Sequence, residues 1–242
     1  MTITSHLPNG ITCLNLLCGY FGIMLAFQGN LLAASLLIFL AGLFDFLDGF
    51  VARALNANSP IGKELDSLAD VITFGVLPGM IVYKLSTIAA NSGPNGFVFT
   101  STIPWFAYLS GVIPVFSALR LAKFNIDTRQ SDSFIGLPTP ANAMFIASLP
   151  YIYLHPFIYT LNLSWICLAP VLIGILLSGL LVSEIPLMAL KFKNFAWQPN
   201  KLKYLLIIIS MVLIAILQFM AAPLMLICYI ILSVMDKNNA KI

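Results

Sequence analysis

The chain has 242 residues, 60% of them hydrophobic and only 9% charged, with a formal net charge of +3. A soluble domain of this length needs roughly a quarter of its residues charged to clothe its surface, so a water-soluble fold is excluded, and the mean hydropathy of +0.97 points to the bilayer. Without a basic tract or aromatic–basic alternation, the small positive charge gives no basis for binding nucleic acid.

Residues 1–44, 85–119, 133–183 and 204–235 contain no Asp, Glu, Lys or Arg. Uncharged apolar runs of about 18 residues or more are candidates for transmembrane helices. The start, "MTITSHLPNG", lacks the basic region of a signal peptide. Breakers divide the chain into eight apolar segments, near 10–27, 31–55, 60–84, 103–123, 140–158, 164–184, 203–219 and 222–235. Joined as one helix, the last two would reach roughly 48 Å, against a hydrocarbon core of about 30 Å, so a hairpin before Pro223 is expected. The fold class is therefore all-α, a polytopic integral membrane protein of about eight transmembrane helices, with residues 1–242 forming one domain.

With both termini cytoplasmic, Arg53, Lys63, Arg120, Lys123, Arg129, Lys191, Lys193, Lys201, Lys203, Lys237 and Lys241 fall on the cytoplasmic side. Lys84 alone falls on the other, a strong positive-inside pattern. Cys13, Cys18, Cys167 and Cys228 are scattered through apolar segments and read as small buried hydrophobes. His6 and His155 are isolated, and nothing in their surroundings suggests a role.

Five of the nine acidic residues crowd into "DFLDGFVARALNANSPIGKELDSLAD", residues 45–70. Asn56 to Pro60 reads as a turn, with Ser59 capping a new helix and Pro60 at its first position. Asp45 and Asp48 precede the turn by about as many residues as Asp66 and Asp70 follow it. An antiparallel hairpin therefore brings both pairs to one depth, roughly 10–17 Å in from the turn. Spacings of i,i+3 and i,i+4 keep each pair on one helix face.

Four converging carboxylates cannot all stay ionised in a low dielectric without cations among them or strongly shifted titration. Hard oxygen ligands of this kind suit Mg²⁺ or Mn²⁺, which bridge carboxylates and substrate phosphates. Gly49 and Gly62 would let a substrate approach closely, and Arg53 could meet a phosphate. Lys63 and Glu64, next to the turn, read as ordinary interfacial charges.

The pattern Asp45-x2-Asp48-Gly49-x2-Ala52-Arg53-x8-Gly62-x3-Asp66-x3-Asp70 resembles the signature of the CDP-alcohol phosphatidyltransferase family at every fixed position. The resemblance implies two divalent metals held by Asp45, Asp48, Asp66 and Asp70, with Asp70 also the base for the acceptor hydroxyl. It implies that Gly49, Ala52 and Gly62 line the nucleotide site and that Arg53 sits near the phosphates or braces the aspartates. Asn9 and Thr12 are assigned to the nucleotide pocket on resemblance alone.

"LPNGITCLNLLCGYFGI", "ALRLAKFNI" and "FIGLPTPANA" are similar to stretches of the bacterial and archaeal phosphatidylserine synthases, a branch of that family. They imply CDP-diacylglycerol and L-serine as substrates, phosphatidylserine and CMP as products, a homodimer, and a prokaryotic cytoplasmic membrane with the site facing the cytoplasm. Arg120 or Lys123 would hold the serine carboxylate and Asn125 its amino group or backbone, with Asn142 a further polar contact. Arg120 and Lys123 also fit the role of positive-inside anchors. Glycerol 3-phosphate or inositol phosphate as acceptor is the alternative within the family. Outside it, a divalent-cation transporter would need polar helices continuing to the far side, and the outer halves of the spans carry almost no ionisable residues.

Overall fold

The computed structural model describes residues 6–57, 59–91, 103–127, 133–155, 166–188 and 196–236. Arg129, Lys191, Lys193, Lys237 and Lys241, and parts of the expected spans 140–158 and 164–184, lie outside the described residues.

Helices α1 (Leu7–Phe27) and α2 (Leu31–Ala54) form the first hairpin, turned at Gly29 and capped by Asn30, whose side chain accepts from the Ala33 amide. The next helix has three parts. α3 (Pro60–Asp70) leads into a π-helical segment, Val71–Val76, and then into α4 (Leu77–Asn91). A 3₁₀ turn, Trp105–Gly111, opens α5 (Val112–Ile126). α6 (Thr139–Tyr153), α7 (Ala169–Val182), α8 (Trp197–Leu217) and α9 (Ala222–Met235) follow.

Five helical stretches among the described residues are long and apolar enough to cross a bilayer: Leu7–Phe27, Leu31–Ala54, Pro60–Ala90, Trp105–Ile126 and Asn200–Met235. The last is not straight. Gln218 has φ +51° and begins a 3₁₀ turn. Leu206 and Leu232 share one small cluster with Met188, which requires α8 and α9 to fold back on each other, as the length argument expected.

Large apolar side chains cover the outside, among them Leu14, Leu17, Phe21 and Met24 of α1, all exposed. Water would penalise such a surface and lipid does not. The chain is an integral membrane protein. Inside, Ile38, Phe74, Leu77, Ile81, Ile113 and Ile146 form a core shared by α2, the π-helical segment, α4, α5 and α6. α1 closes onto it with Pro8, Thr12, Asn15, Gly19, Gly22 and Ala26, small or polar residues at helical spacing. A Cβ on Gly19 would sit 2.5 Å from Thr73 Oγ1, so the two helices meet nearly backbone to backbone there.

The described residues are helical, in keeping with the expected all-α class, apart from one short antiparallel ribbon in which Ser133–Ile135 (β1) pairs with Pro186–Met188 (β2), Phe134 opposite Leu187. Three-residue strands carry too little periodicity to be read from sequence. Cys13 is exposed rather than buried. It sits one residue off the inward stripe of α1, on a face where lipid replaces a protein neighbour.

Candidate active site at the α2–α3 hairpin

The turn forms as its residues dictate. Asn56 takes φ +50°, and the Ser59 hydroxyl accepts from the Gly62 amide at 3.0 Å, with Pro60 in the first helical turn. α2 and α3 then run antiparallel with their aspartates facing one another. Asp45, Asp48 and Asp66 each bring one carboxylate oxygen within 4.8 Å of the others. Asp70 stands beside this trio, and the charges it senses most strongly are those of Asp45 and Asp66.

The site is partly withdrawn from solvent. Asp48 and Asp70 are buried, Asp45 and Asp66 half-buried. The inward stripe of α1 supplies hydrogen bonds to them. Thr12 Oγ1 donates to Asp48 Oδ2 at 2.6 Å, and Asn15 Nδ2 donates to Asp70 Oδ1 at 3.1 Å. Asp66 Oδ1 is buried with no hydrogen-bond partner among the described residues. An oxygen-only donor set with a buried, unpaired carboxylate oxygen fits a hard metal cation, which would offset charges the protein does not.

A cavity of about 530 Å³ adjoins the trio, and its walls include Asn9, Thr12, Asp48, Gly49, Ala52 and Gly62. The expected nucleotide-site residues are thus brought to one place, with Arg53 exposed at its edge and its guanidinium folded back over Gly49. Lys63, read from sequence as a bystander, also lines this cavity, while Glu64 is exposed.

The expected acceptor residues separate. Arg120 is buried, its guanidinium carbon lies over the Phe124 ring at 4.9 Å from the centroid, and its electrostatic neighbours are Asp70 and Tyr229. Lys123 is exposed. Asn125 ties α5 to α3: its Nδ2 donates to Ser67 Oγ at 2.9 Å, and its carbonyl accepts from Lys63 Nζ at 3.1 Å. Asn142 is fully buried, and neither of its amide atoms has a partner among the described residues.

Sequence reasoning missed Asn15 and Tyr229. Asn15 was legible, since Asn9, Thr12 and Asn15 recur every three residues along an otherwise apolar helix. Tyr229 had no local signal. The fold brings it close enough to Arg120 to act on its charge, while its hydroxyl donates to the Met188 carbonyl at 3.1 Å.

The sequence profile of the CDP-alcohol phosphatidyltransferases matches residues 5–176. The chain belongs to the CDP-alcohol phosphatidyltransferase family. It is accordingly a transferase of phospholipid biosynthesis, and the hairpin of aspartates lies inside the matched region. Among curated relatives, the CDP-diacylglycerol–serine O-phosphatidyltransferase of Helicobacter pylori is 35% identical over 214 residues, 86% of this chain and 81% of the relative. The enzyme of the same name from Bacillus subtilis is 36% identical over 150 residues, 62% of this chain and 77% of its own. The archaetidylserine synthase of Methanothermobacter thermautotrophicus is 36% identical over 165 residues, 67% of this chain and 64% of its own.

Proposed function

We propose that the chain transfers the phosphatidyl group of CDP-diacylglycerol to the hydroxyl of L-serine, releasing CMP. The observation that carries this reading is the carboxylate trio, which opens on a cavity while Asp70 lies beside buried Arg120. The choice of serine is supported by the names of the bacterial relatives.

Asp45, Asp48 and Asp66 would hold Mg²⁺ or Mn²⁺, and Asp70 completes the acidic set. Two such cations, when bound, offset the diphosphate charge and stabilise the departing CMP phosphate. The cavity beside Gly49, Ala52 and Gly62 takes the nucleotide, with Asn9 and Thr12 on its α1 wall. Arg53 and Lys63 supply positive charge at its rim.

Arg120 binds the serine carboxylate, supported by the cation–π contact of its guanidinium with the Phe124 ring. Asn142 offers an unpaired amide for the amino group. Lys123 and Asn125 frame the entrance from the cytoplasmic side. Asp70 takes the proton from the serine hydroxyl as its oxygen bonds to the lipid-linked phosphorus. The bond from that phosphorus to the CMP oxygen breaks, leaving phosphatidylserine and CMP.

The full reading places eight spans in one domain, residues 1–242, as a homodimer in a prokaryotic cytoplasmic membrane. Both termini and the site face the cytoplasm, which the distribution of basic residues supports.

The test is purified protein with CDP-diacylglycerol, Mg²⁺ or Mn²⁺, and a panel of labelled alcohols. Serine-dependent CMP release is expected. Turnover with glycerol 3-phosphate or inositol phosphate instead would reassign the acceptor, and silence with every acceptor would sink the enzymatic reading. Cation flux in proteoliposomes without CMP release would favour a transporter.

A further inference from the structure

Asn15 sits mid-way along α1, wholly buried, with its Nδ2 on Asp70 Oδ1. Its own Oδ1 has no partner among the described residues. A half-satisfied amide in a low-dielectric interior costs stability that an apolar side chain at the same place would not. Every other buried position from Cys18 to Ala26 on this helix is small or apolar.

The backbone around Asn15 is held firmly. Thr73, three residues beyond Asp70, donates its hydroxyl to the Asn15 carbonyl at 3.1 Å. One turn further along α1, Gly19 admits the same Thr73 at backbone distance. The start of the π-helical segment is therefore docked on α1 immediately after Asp70. This docking sets the depth of Asp70 relative to Asn15. π-Helical turns recur at functional sites because the extra residue re-aims the side chains around it.

We propose that Asn15 is a positioning residue for Asp70, fixing the carboxyl plane through Oδ1 so that Oδ2 meets the acceptor hydroxyl. The inference rests on the proposed reaction, in which Asp70 takes the proton. α1 then divides its work, with Thr12 steadying Asp48 in the trio and Asn15 steadying the base beside it.

The experiment compares full-length wild type, Asn15→Leu and Asn15→Asp. It measures kcat and KM for both substrates at saturating Mn²⁺, and the Mn²⁺ dissociation constant by titration without substrate. Both variants should lose about 10- to 100-fold in kcat, the usual loss when an orienting hydrogen bond is removed. KM values and the Mn²⁺ dissociation constant should stay within about threefold, since the trio is intact.

An unchanged kcat overturns the proposal. So does a loss matched by an equal rise in KM or in the Mn²⁺ dissociation constant, which would make Asn15 part of binding. If Asn15→Leu does not purify as a folded species, Asn15→Asp decides by the same numbers, and collapse of both assigns Asn15 to packing and overturns the proposal. A wild type without CMP release removes the proposed function along with this inference. An active wild type with unchanged variants removes only the role of Asn15.

Discussion

Thr12 of the first helix donates a 2.6 Å hydrogen bond to Oδ2 of Asp48 in the second, across 36 positions of chain. The same hydroxyl lies 3.1 Å from the Pro8 carbonyl one turn back. The bond restricts how the Asp48 carboxylate can turn. Thr12→Val keeps the shape and removes the donor. The expected result is a Mn²⁺ dissociation constant raised about tenfold, the scale on which partners of metal ligands act. Calorimetric titration of the purified variant checks it, and an unchanged constant would mean Thr12 serves packing alone.

Within the acidic set, substitutions should separate by position. Asp66→Asn removes a carboxylate of the trio and should weaken Mn²⁺ binding and turnover together. Asp70→Asn should abolish turnover while retaining most Mn²⁺ binding, because Asp70 lies beside the three oxygens gathered within 4.8 Å. Parallel CMP-release assays and metal titrations read the difference. Treatment with a chelator should silence the wild type, and added Mn²⁺ should restore it.

Arg120 is buried, with its guanidinium carbon 4.9 Å from the centroid of the Phe124 ring. Arg120→Lys retains the charge but loses the two-pronged geometry that matches a carboxylate. An increase of about tenfold in KM for serine is expected, with KM for CDP-diacylglycerol little changed. Equal changes in both constants would place Arg120 outside acceptor recognition.

Gly136 and Gly29 both have positive φ, +75° and +86°, yet they should respond differently to alanine. A Cβ at Gly136 would fall 2.6 Å from the Leu181 carbonyl oxygen and 2.8 Å from that of Ser183, while at Gly29 it meets nothing within 4 Å. Gly29→Ala should cost about 1–2 kcal/mol from backbone strain alone. Gly136→Ala should cost more than that, because carbonyls in the backbone cannot move aside as flexible side chains can. It would also disturb the 3.0 Å bonds from Gly136 N to Ile185 O and from Leu137 N to Leu180 O. Thermal unfolding of the two variants in one detergent gives the ranking.

Much of the fold was legible because lipid imposes it. Uncharged runs mark helices, since backbone groups in hydrocarbon must bond within their own segment. The helix starts at Leu31 and Pro60 follow from Asn30 and Ser59 as caps. Less legible was the path between helices. The ribbon of Ser133–Ile135 with Pro186–Met188 joins segments about fifty residues apart, and neither strand announces itself alone. The π-helical turn at Val71–Val76 had no local signal either. An apolar helix sequence reads the same with or without one extra residue in a turn.

By itself the sequence determined the membrane class, the hairpin at Asn56 to Pro60 and the gathering of aspartates beneath it. These depend on composition, on turn chemistry and on helical spacing, all local quantities. Only the tertiary structure decided which aspartates form a trio and which stands beside it, and that α1 reaches over to hold Asp48 and Asp70. It also decided that Arg120 turns inward while Lys123, three residues on, stays exposed. Those outcomes depend on how closely one helix approaches another, through contacts such as Gly19 against Thr73, and no single segment carries that information.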